Sequence, residues 1–463
     1  MLGLGYIVTL LDVYLRYSRI HDLFIPPEVR ISAIIVLFGV LALLATGRIL
    51  SPLTSKVGRY ILFATFWMML SVGVSVWPGG AYSYFVEHWI KSIITFFFVV
   101  AFIRTFTKMR TIVLTVAAGC LTAAVLAFFM GVDMAGRSSV DLSYGNPNDL
   151  AFLILFGMPL SLWVVFDKRA PNWQRLGFLG GVMIALPVLA KTGSRAALLI
   201  IMVLSLYTFW RVSAKNRVRL LLAGAVLAPL AVVAIPRDLI VRYSTLFTAQ
   251  ANVDPLQGDA EEADEATSAT AAQSANMRVD LLKRSLAVTL ENPLLGVGPG
   301  MFVVAENDLA VAAGRARGYW KGSHNMYTQI SSETGMVGFA LLAMILVWSW
   351  KVFTRVERSN PRLFPFSREM RTLALALKAS ILVYLVAGFT LSIAYGPFMP
   401  VLAGLAVSLS QLLGAAEAER RRRAIQTEED EPDEAATVVA PRPQGELVPA
   451  ARSHAGQPVA SRS

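Results

Sequence analysis

A helix needs about 20 mostly apolar residues to cross the hydrocarbon core of a bilayer. Runs of that kind recur along the chain at 2–17, 31–47, 60–77, 84–103, 111–130, 148–166, 175–190, 196–212, 218–235, 325–350, 372–393 and 399–414. They number about twelve, and the first and fourth are interrupted by charge: Asp12 and Arg16 in one, Glu87, His88 and Lys91 in the other. The composition agrees. Of 463 residues 55% are hydrophobic and only 16% charged, against about 25% charged in a soluble chain. Such a chain cannot cover itself with a water-compatible surface, which excludes a soluble enzyme. The apolar content also excludes disorder over most of the length. Cys120 is the single cysteine, so no intrachain disulfide forms. The four histidines, His21, His88, His324 and His454, are far apart in sequence, which weighs against a metal site. The expected fold is an all-α polytopic membrane protein.

Basic residues in short loops orient such a protein. Arg48, Lys56 and Arg59 follow the second run, and Arg104, Lys108 and Arg110 the fourth. Lys168, Arg169 and Arg175, then Arg211, Lys215, Arg217 and Arg219, occupy the next alternate loops. Lys351, Arg355, Arg358, Arg362, Arg368 and Arg371 follow the tenth, and Arg420 to Arg423 open the tail. Loops 78–83 and 394–400 have no basic residue. One side is therefore cytoplasmic, with both termini on it. The net charge of +11 is mostly this topology signal, and basic residues spread over helix ends do not suggest nucleic acid. The N-terminus lacks a basic region followed by a small-residue cleavage site, so the first run reads as a retained helix. The expected organisation is membrane helices over 1–236, a large periplasmic loop over 237–323 containing an amphipathic helix, further membrane helices over 324–414 and a disordered cytoplasmic tail over 415–463. Acidic runs mark Asp254 to Glu265 and Glu428 to Glu434, and 254–275 reads as a flexible insert.

The informative positions break the orientation rule. Lys191-Thr192-Gly193-Ser194-Arg195 puts two cations at the outer boundary, in a connection too short to be a domain. Cations there are costly and mark candidate functional sites; snorkelling from helix ends is the competing account. On the same face, Leu281, Leu282, Leu286 and Leu290 fall near helical spacing. They predict an amphipathic helix that partly desolvates Arg278 and Arg284. Glu291-Asn-Pro-Leu-Leu-Gly296-Val-Gly298-Pro-Gly300 invites a dinucleotide-loop reading, but no strand precedes it, so a turn laid close over the bundle is preferred. Ser323-His324-Asn325-Met326-Tyr327 opens the tenth run. A histidine titrates near neutrality and can take a proton from a hydroxyl. A capping or interfacial histidine is the competing account, and the nearby outer arginines weigh toward function. Guanidiniums around an imidazole at a membrane surface suit a phosphate-bearing lipid, since Arg pairs bidentately with phosphate oxygens. They also stabilise the charge of a departing diphosphate.

His324-Asn325, nine residues, then Gly335-x-x-Gly338 resembles the hallmark of the O-antigen ligase and polymerase superfamily. Asn292-Pro-Leu-Leu-Gly-Val-Gly-Pro-Gly-Met-Phe302 and Thr192-Gly-Ser-Arg195 are similar to that family as well. The resemblance implies a GT-C-like helical fold and a glycosyltransferase that needs no metal or other cofactor. The donor it implies is a glycan on undecaprenyl diphosphate, in the bacterial inner membrane, with the active site facing the periplasm. It makes His324 the general base, with Arg278 and Arg195 gripping the diphosphate, and the transfer inverting. Lys191 and Arg284 are weaker candidates for the same anion. Asn325 is a candidate to orient the histidine, and Tyr327 beside it to contact substrate. Tyr144, Asn146 and Asn148 are candidates for sugar binding, which a plain Asn-Pro turn explains equally well. The acidic insert is not part of the family pattern.

The leading expectation is a ligase that moves the glycan to a lipid A–core acceptor. An O-antigen or exopolysaccharide polymerase and a protein O-oligosaccharyltransferase share the donor and the base. A transporter of lipid-linked glycan is the non-enzymatic alternative. Its charged residues belong at mid-membrane, whereas the unusual cations here gather at the outer edge.

Overall fold

The computed structural model describes residues 1–134, 137–139, 146–212, seven positions between 214 and 225, 262–360 and 366–430. The expected run at 218–235, the acidic side chains at 254–265 and Tyr144 lie outside the described residues or side chains. Among the described residues the regular structure is helical apart from a short antiparallel hairpin, β1 (Val132–Met134) and β2 (Arg137–Ser139). The helices are α1 (Leu2–Ser18), α2 (His21–Phe24), α3 (Ile31–Ala45), α4 (Lys56–Gly73) and α5 (Pro78–Phe102). They continue with α6 (Phe106–Met130), α7 (Pro147–Phe166), α8 (Asn172–Lys191), α9 (Arg195–Arg211) and α10 (Glu262–Glu291). The last four are α11 (Phe302–Ala312), α12 (Met326–Glu357), α13 (Ser367–Ala387) and α14 (Phe398–Asp430). The chain forms two compact units, Met1–Ala416 and Glu417–Ser463.

Among the described residues, seven helices are long and apolar enough to cross a membrane. An eighth is added if α3 and the following turn Arg48–Thr54, bent by 80°, count as one span. The expected twelve are not all among them, and most of the expected run at 218–235 lies outside the described residues. α1 and α9 have 17 residues each, at the short end of what crosses a bilayer. α4 carries Lys56 and Arg59 in its first two turns. α5 begins earlier than the apolar run suggested, with Pro78 at its first position, and passes through a π-helical turn at Phe85–Ile90.

The core of the first unit is aromatic. Tyr17 of α1 stacks on Phe156 of α7 at 5.9 Å and meets Phe398 edge-on at 5.4 Å. Phe152 joins Phe398 and Tyr384 of α13. α1 can be buried despite its charges because they are paired. Both carboxylate oxygens of Asp12 lie 3.0 Å from Arg16 Nε, and the Thr95 hydroxyl of α5 donates to Asp12 at 2.6 Å. Spacing of four on one helix face makes the pair intrahelical. Asp12 is 2% exposed, so its partners replace water. Removing one half of a buried pair is far worse than removing both. Asp12→Leu is therefore expected to destabilise the protein by about 3–5 kcal/mol, and Asp12→Leu with Arg16→Met to recover most of that loss. Thermal denaturation in detergent tests the cycle; equal losses in the single and double variants would show that the pair is not coupled.

Candidate active site

Long membrane helices keep their backbone hydrogen bonds internal, so a break needs outside partners. α12 has such a break: Gly335 stands at φ 74°, ψ 179°, within an otherwise helical stretch. The glycine-rich turn 293–301 supplies the partners. Val297 and Gly298 N–H donate to the carbonyls of Ser332 and Glu333, both at 2.9 Å, and Met336 N–H donates to Pro293 at 2.8 Å. The Trp67 indole of α4 donates to Thr334 O at 2.9 Å. The Ser71 hydroxyl reaches Leu295 O and Glu333 O, and the Ser75 hydroxyl reaches Val297 O. The Gly335 conformation is in the left-handed region, and a Cβ there would strike the Leu294 carbonyl. Gly296, at φ 67°, lies against the Glu333–Thr334 backbone in the same way. At Gly338 a Cβ would collide with the Thr334 side chain. The turn expected from the glycines thus clamps α4, α5 and α12 rather than cradling a nucleotide.

From this clamp the chain leads to His324. Gly300 N–H donates to the buried Glu333 carboxylate at 2.8 Å, just before α11 begins at Phe302. Glu306 of α11 is fully buried and forms an ion pair with Arg284 of α10. Tyr319 N–H donates to the same carboxylate at 2.8 Å, and the Arg284 guanidinium lies over the Tyr319 ring at 5.0 Å. Burial raises the Glu306 pKa, and the N–H groups of Tyr319 and Trp320 pull it back. So α10, α11 and segment 318–320 are joined immediately before the histidine. Trp320 and His324 both adopt positive φ, 53° and 50°. Ser323 and Met326 hold the segment: the Ser323 hydroxyl donates to Asn325 O at 2.9 Å, and Met326 N–H donates to Gly388 O at 2.7 Å.

The His324 imidazole is partly buried, and Arg278 of α10 and Lys321 are the cations that face it. Burial lowers its pKa below 6.5, and the two positive charges lower it further. Arg195, half-buried, is the first residue of α9, after a turn in which the Ser194 hydroxyl caps Ala197 N–H. Thr192 and Ser194 of that turn are buried, and Gly193 adopts φ 55°. At the opposite end of α9, Arg211 pairs with Glu357, the last residue of α12. α9 packs on α7 and α13, whereas α10 packs on α11 and α12. The structure therefore sets Arg278 beside His324 and Arg195 on a helix one neighbour removed. Lys191, the last residue of α8, is exposed at the same turn as Arg195.

The remaining expected residues have visible structural duties. Asn325 is the N-cap of α12: its Oδ1 accepts from Tyr327 and Thr328 N–H, and its Nδ2 donates to Phe389 O. The Tyr327 hydroxyl donates to Leu385 O at 2.7 Å, and its ring lies against Phe389. Asn146 caps α7 by accepting from Asn148 N–H at 3.0 Å, in an Asn-Pro turn. Three residues were missed. Lys321 carries no signal of the kind used for Arg195, since it lies in the long 237–323 stretch, where basic residues are not disfavoured. Glu306 and Glu333 signal themselves as carboxylates in apolar helices, which require partners.

Fold and site together define a polytopic helical membrane protein with an imidazole and cations at one end of its bundle. Residues 180–343 match the family model described as O-Antigen ligase. The match agrees with the resemblance to the O-antigen ligase and polymerase superfamily, and the matched stretch contains Arg195, Arg278, His324, Gly296 and Gly335. No curated protein matches the chain.

Two glycine variants test the clamp. Gly314 has φ 79° with open space around it, so Gly314→Ala is expected to cost only the left-handed penalty of about 1–2 kcal/mol. Gly335→Ala adds a backbone collision and is expected to lower the melting temperature much further or abolish folded protein. Similar shifts for the two in detergent would show that the break is not sterically fixed.

Proposed function

We propose that the protein is a glycosyltransferase of the ligase type, moving a glycan from undecaprenyl diphosphate to a hydroxyl of a lipid A–core acceptor. In this reading the His324 end of the bundle faces the periplasm of a bacterial inner membrane, with both termini cytoplasmic. The acceptor oxygen attacks the anomeric carbon from the side opposite the diphosphate. His324 takes the hydroxyl proton as the carbon–oxygen bond forms. The bond to the diphosphate breaks, and undecaprenyl diphosphate leaves with the electron pair. Arg278 and Arg195 bind the diphosphate and stabilise its growing charge, and Lys191 adds a weaker attraction. Arg284 is already neutralised by Glu306, so it serves the site by holding α10 to α11. The observation that carries this reading is the pairing of a partly buried imidazole with the Arg278 cation inside the family-matched stretch. A base must be neutral to accept a proton, and both burial and the neighbouring cation keep His324 neutral.

His324→Ala is expected to leave expression and folding intact while lowering transfer by about 10²–10⁴, measured with purified protein and lipid-linked donor. Near-normal turnover would remove the assigned base. The pH profile carries the sign of the electrostatics. With its pKa below 6.5, His324 stays neutral at pH values where an ordinary histidine is protonated. The acid limb of the rate profile should therefore lie below pH 6.5. Arg278→Ala removes a repulsion, so the limb should move upward in pH, together with weaker donor binding. An unmoved limb would mean that Arg278 does not act on the base. Acceptor identity separates the ligase from a polymerase with the same chemistry. Without the gene, loss of glycan-capped core with polymer retained on the carrier supports a ligase; single repeats on the core support a polymerase.

A further inference from the structure

Glu87, His88 and Lys91 are all exposed on α5, a helix long and apolar enough to span the membrane. Charged groups at such positions are rare and face a water-filled or protein-lined space rather than lipid. The π-helical turn Phe85–Ile90 contributes to this arrangement. It sends Phe85 and Trp89 into the core while Glu87 and His88 point outward. π-bulges in α-helices occur frequently at functional sites.

The surroundings of this face are polar and irregular. Arg19, at the end of α1, is the remaining charge that faces His88, besides Glu87 and Lys91. Arg19 and His21 both pair with Asp22, at 3.6 Å and 3.2 Å. The His88 ring lies 4.3 Å from that of Tyr84. One turn along α5, the Ser92 hydroxyl lies 3.2 Å from the Tyr395 carbonyl. Tyr395 belongs to the connection 388–397 between α13 and α14, which is not helical. Non-helical backbone at membrane depth is tolerated where protein buries it or where it lines water. The same connection also meets the His324 segment. Ala394 N–H donates to Gln329 Oε1 at 3.2 Å, and Ser392 Oγ lies 3.5 Å from Ser323 Oγ. The α5 face and the histidine therefore flank one short stretch of chain.

Charge separates the two sides. Around His324 stand cations, Arg278 and Lys321, suited to a diphosphate. Around His88 both signs stand, Glu87 against Lys91 and Arg19, and Arg19 is itself paired with Asp22. A mixed set of carboxylate, imidazole and ammonium groups offers donors and acceptors together. That chemistry matches a neutral, polyhydroxylated ligand, not an anion. We propose that Glu87, His88 and Lys91, beside Tyr84, form the binding subsite for the acceptor glycan. This rests on the transferase reading given above and assigns the second substrate its place.

The test uses the full chain in lipid nanodiscs, with rough lipopolysaccharide (lipid A and core, without O-chain) as the probe. Its binding is measured first without donor, so that no turnover is needed. Glu87→Gln, His88→Ala and Lys91→Ala are each expected to weaken that binding about tenfold, the loss of one or two hydrogen bonds to a charged group. With donor present, the acceptor KM should rise by a similar factor while the donor KM and the melting temperature stay near wild type. His324→Ala should show the opposite pattern, with binding retained and kcat lost. Three results would overturn the subsite. One is an unchanged acceptor affinity in all three variants; another is a rise in donor KM equal to the rise in acceptor KM; the third is absence of probe binding to the wild-type protein. A fully active His324→Ala variant would instead overturn the transferase mechanism while leaving the binding result standing.

Discussion

A membrane helix that stops and restarts exposes carbonyls that have lost their partners four residues ahead, and in hydrocarbon each such group is costly. In α12 the break at Gly335 frees the carbonyls of Ser332, Glu333 and Thr334, and the turn 293–301 with Trp67 and Ser71 satisfies all three. This exchange fixes far more than the break. The turn follows α10 and leads into α11, so anchoring it to α12 fixes where α10 ends and where α11 begins. Gly300 is held through the Glu333 carboxylate, α11 returns through Glu306 to Arg284, and Tyr319 joins the same carboxylate. The position of His324 therefore descends, bond by bond, from a backbone defect eleven residues later in the sequence. Steric closeness of Gly296 and Gly335 is the condition for all of it, because any side chain at either would part the two backbones.

Carboxylates sort the cations of this protein into two kinds. Arg16, Arg284, Arg211 and Lys378 each meet a buried or mostly buried Asp or Glu, and the pairs join or brace helices: Asp12 within α1, Glu306 between α10 and α11, Glu357 among α9, α12 and α13. Such pairs leave little net field for a ligand. Arg278 and Lys321 face the imidazole itself, and each adds a positive charge that opposes its protonation. That opposition is Coulombic and falls with distance.

The membrane class and the positions of most helices were legible because each leaves a one-dimensional signal, the apolar runs and the breaks between them. The family resemblance seen in His324-Asn325 and Gly335-x-x-Gly338 is matched by the family model over 180–343. The span count was less legible, since apolarity alone does not show where a helix ends. α1 and α9 stop at 17 residues, and α3 bends by 80° into the turn that follows it. The structural partners of Arg284, Asn325, Tyr327 and Asn146 were not legible, because sequence shows a polar group without its partner. Glu306, the N–H groups of Tyr327 and Thr328, the Leu385 carbonyl and the Asn148 N–H are those partners. Three of the four involve backbone atoms, which every residue carries and no motif marks.

The backbone at His324 links these points. A non-glycine residue in the left-handed region is uncommon, and it persists where its surroundings hold it. Here Trp320 and His324 are both in that region within five residues, and each side of the segment is tied down: Tyr319 to Glu306, Ser323 to Asn325, and Met326 to Gly388. A relaxed loop would let the imidazole swing toward water, where it would recover an ordinary pKa and lose its geometry. Holding it in a disfavoured conformation keeps the ring among cations that it would otherwise avoid, since protonation there is opposed by both burial and charge. The folding free energy of the clamp is what keeps the ring there, and for this reason the glycines and buried carboxylates matter to the site although none of them touches the imidazole in the contacts described above.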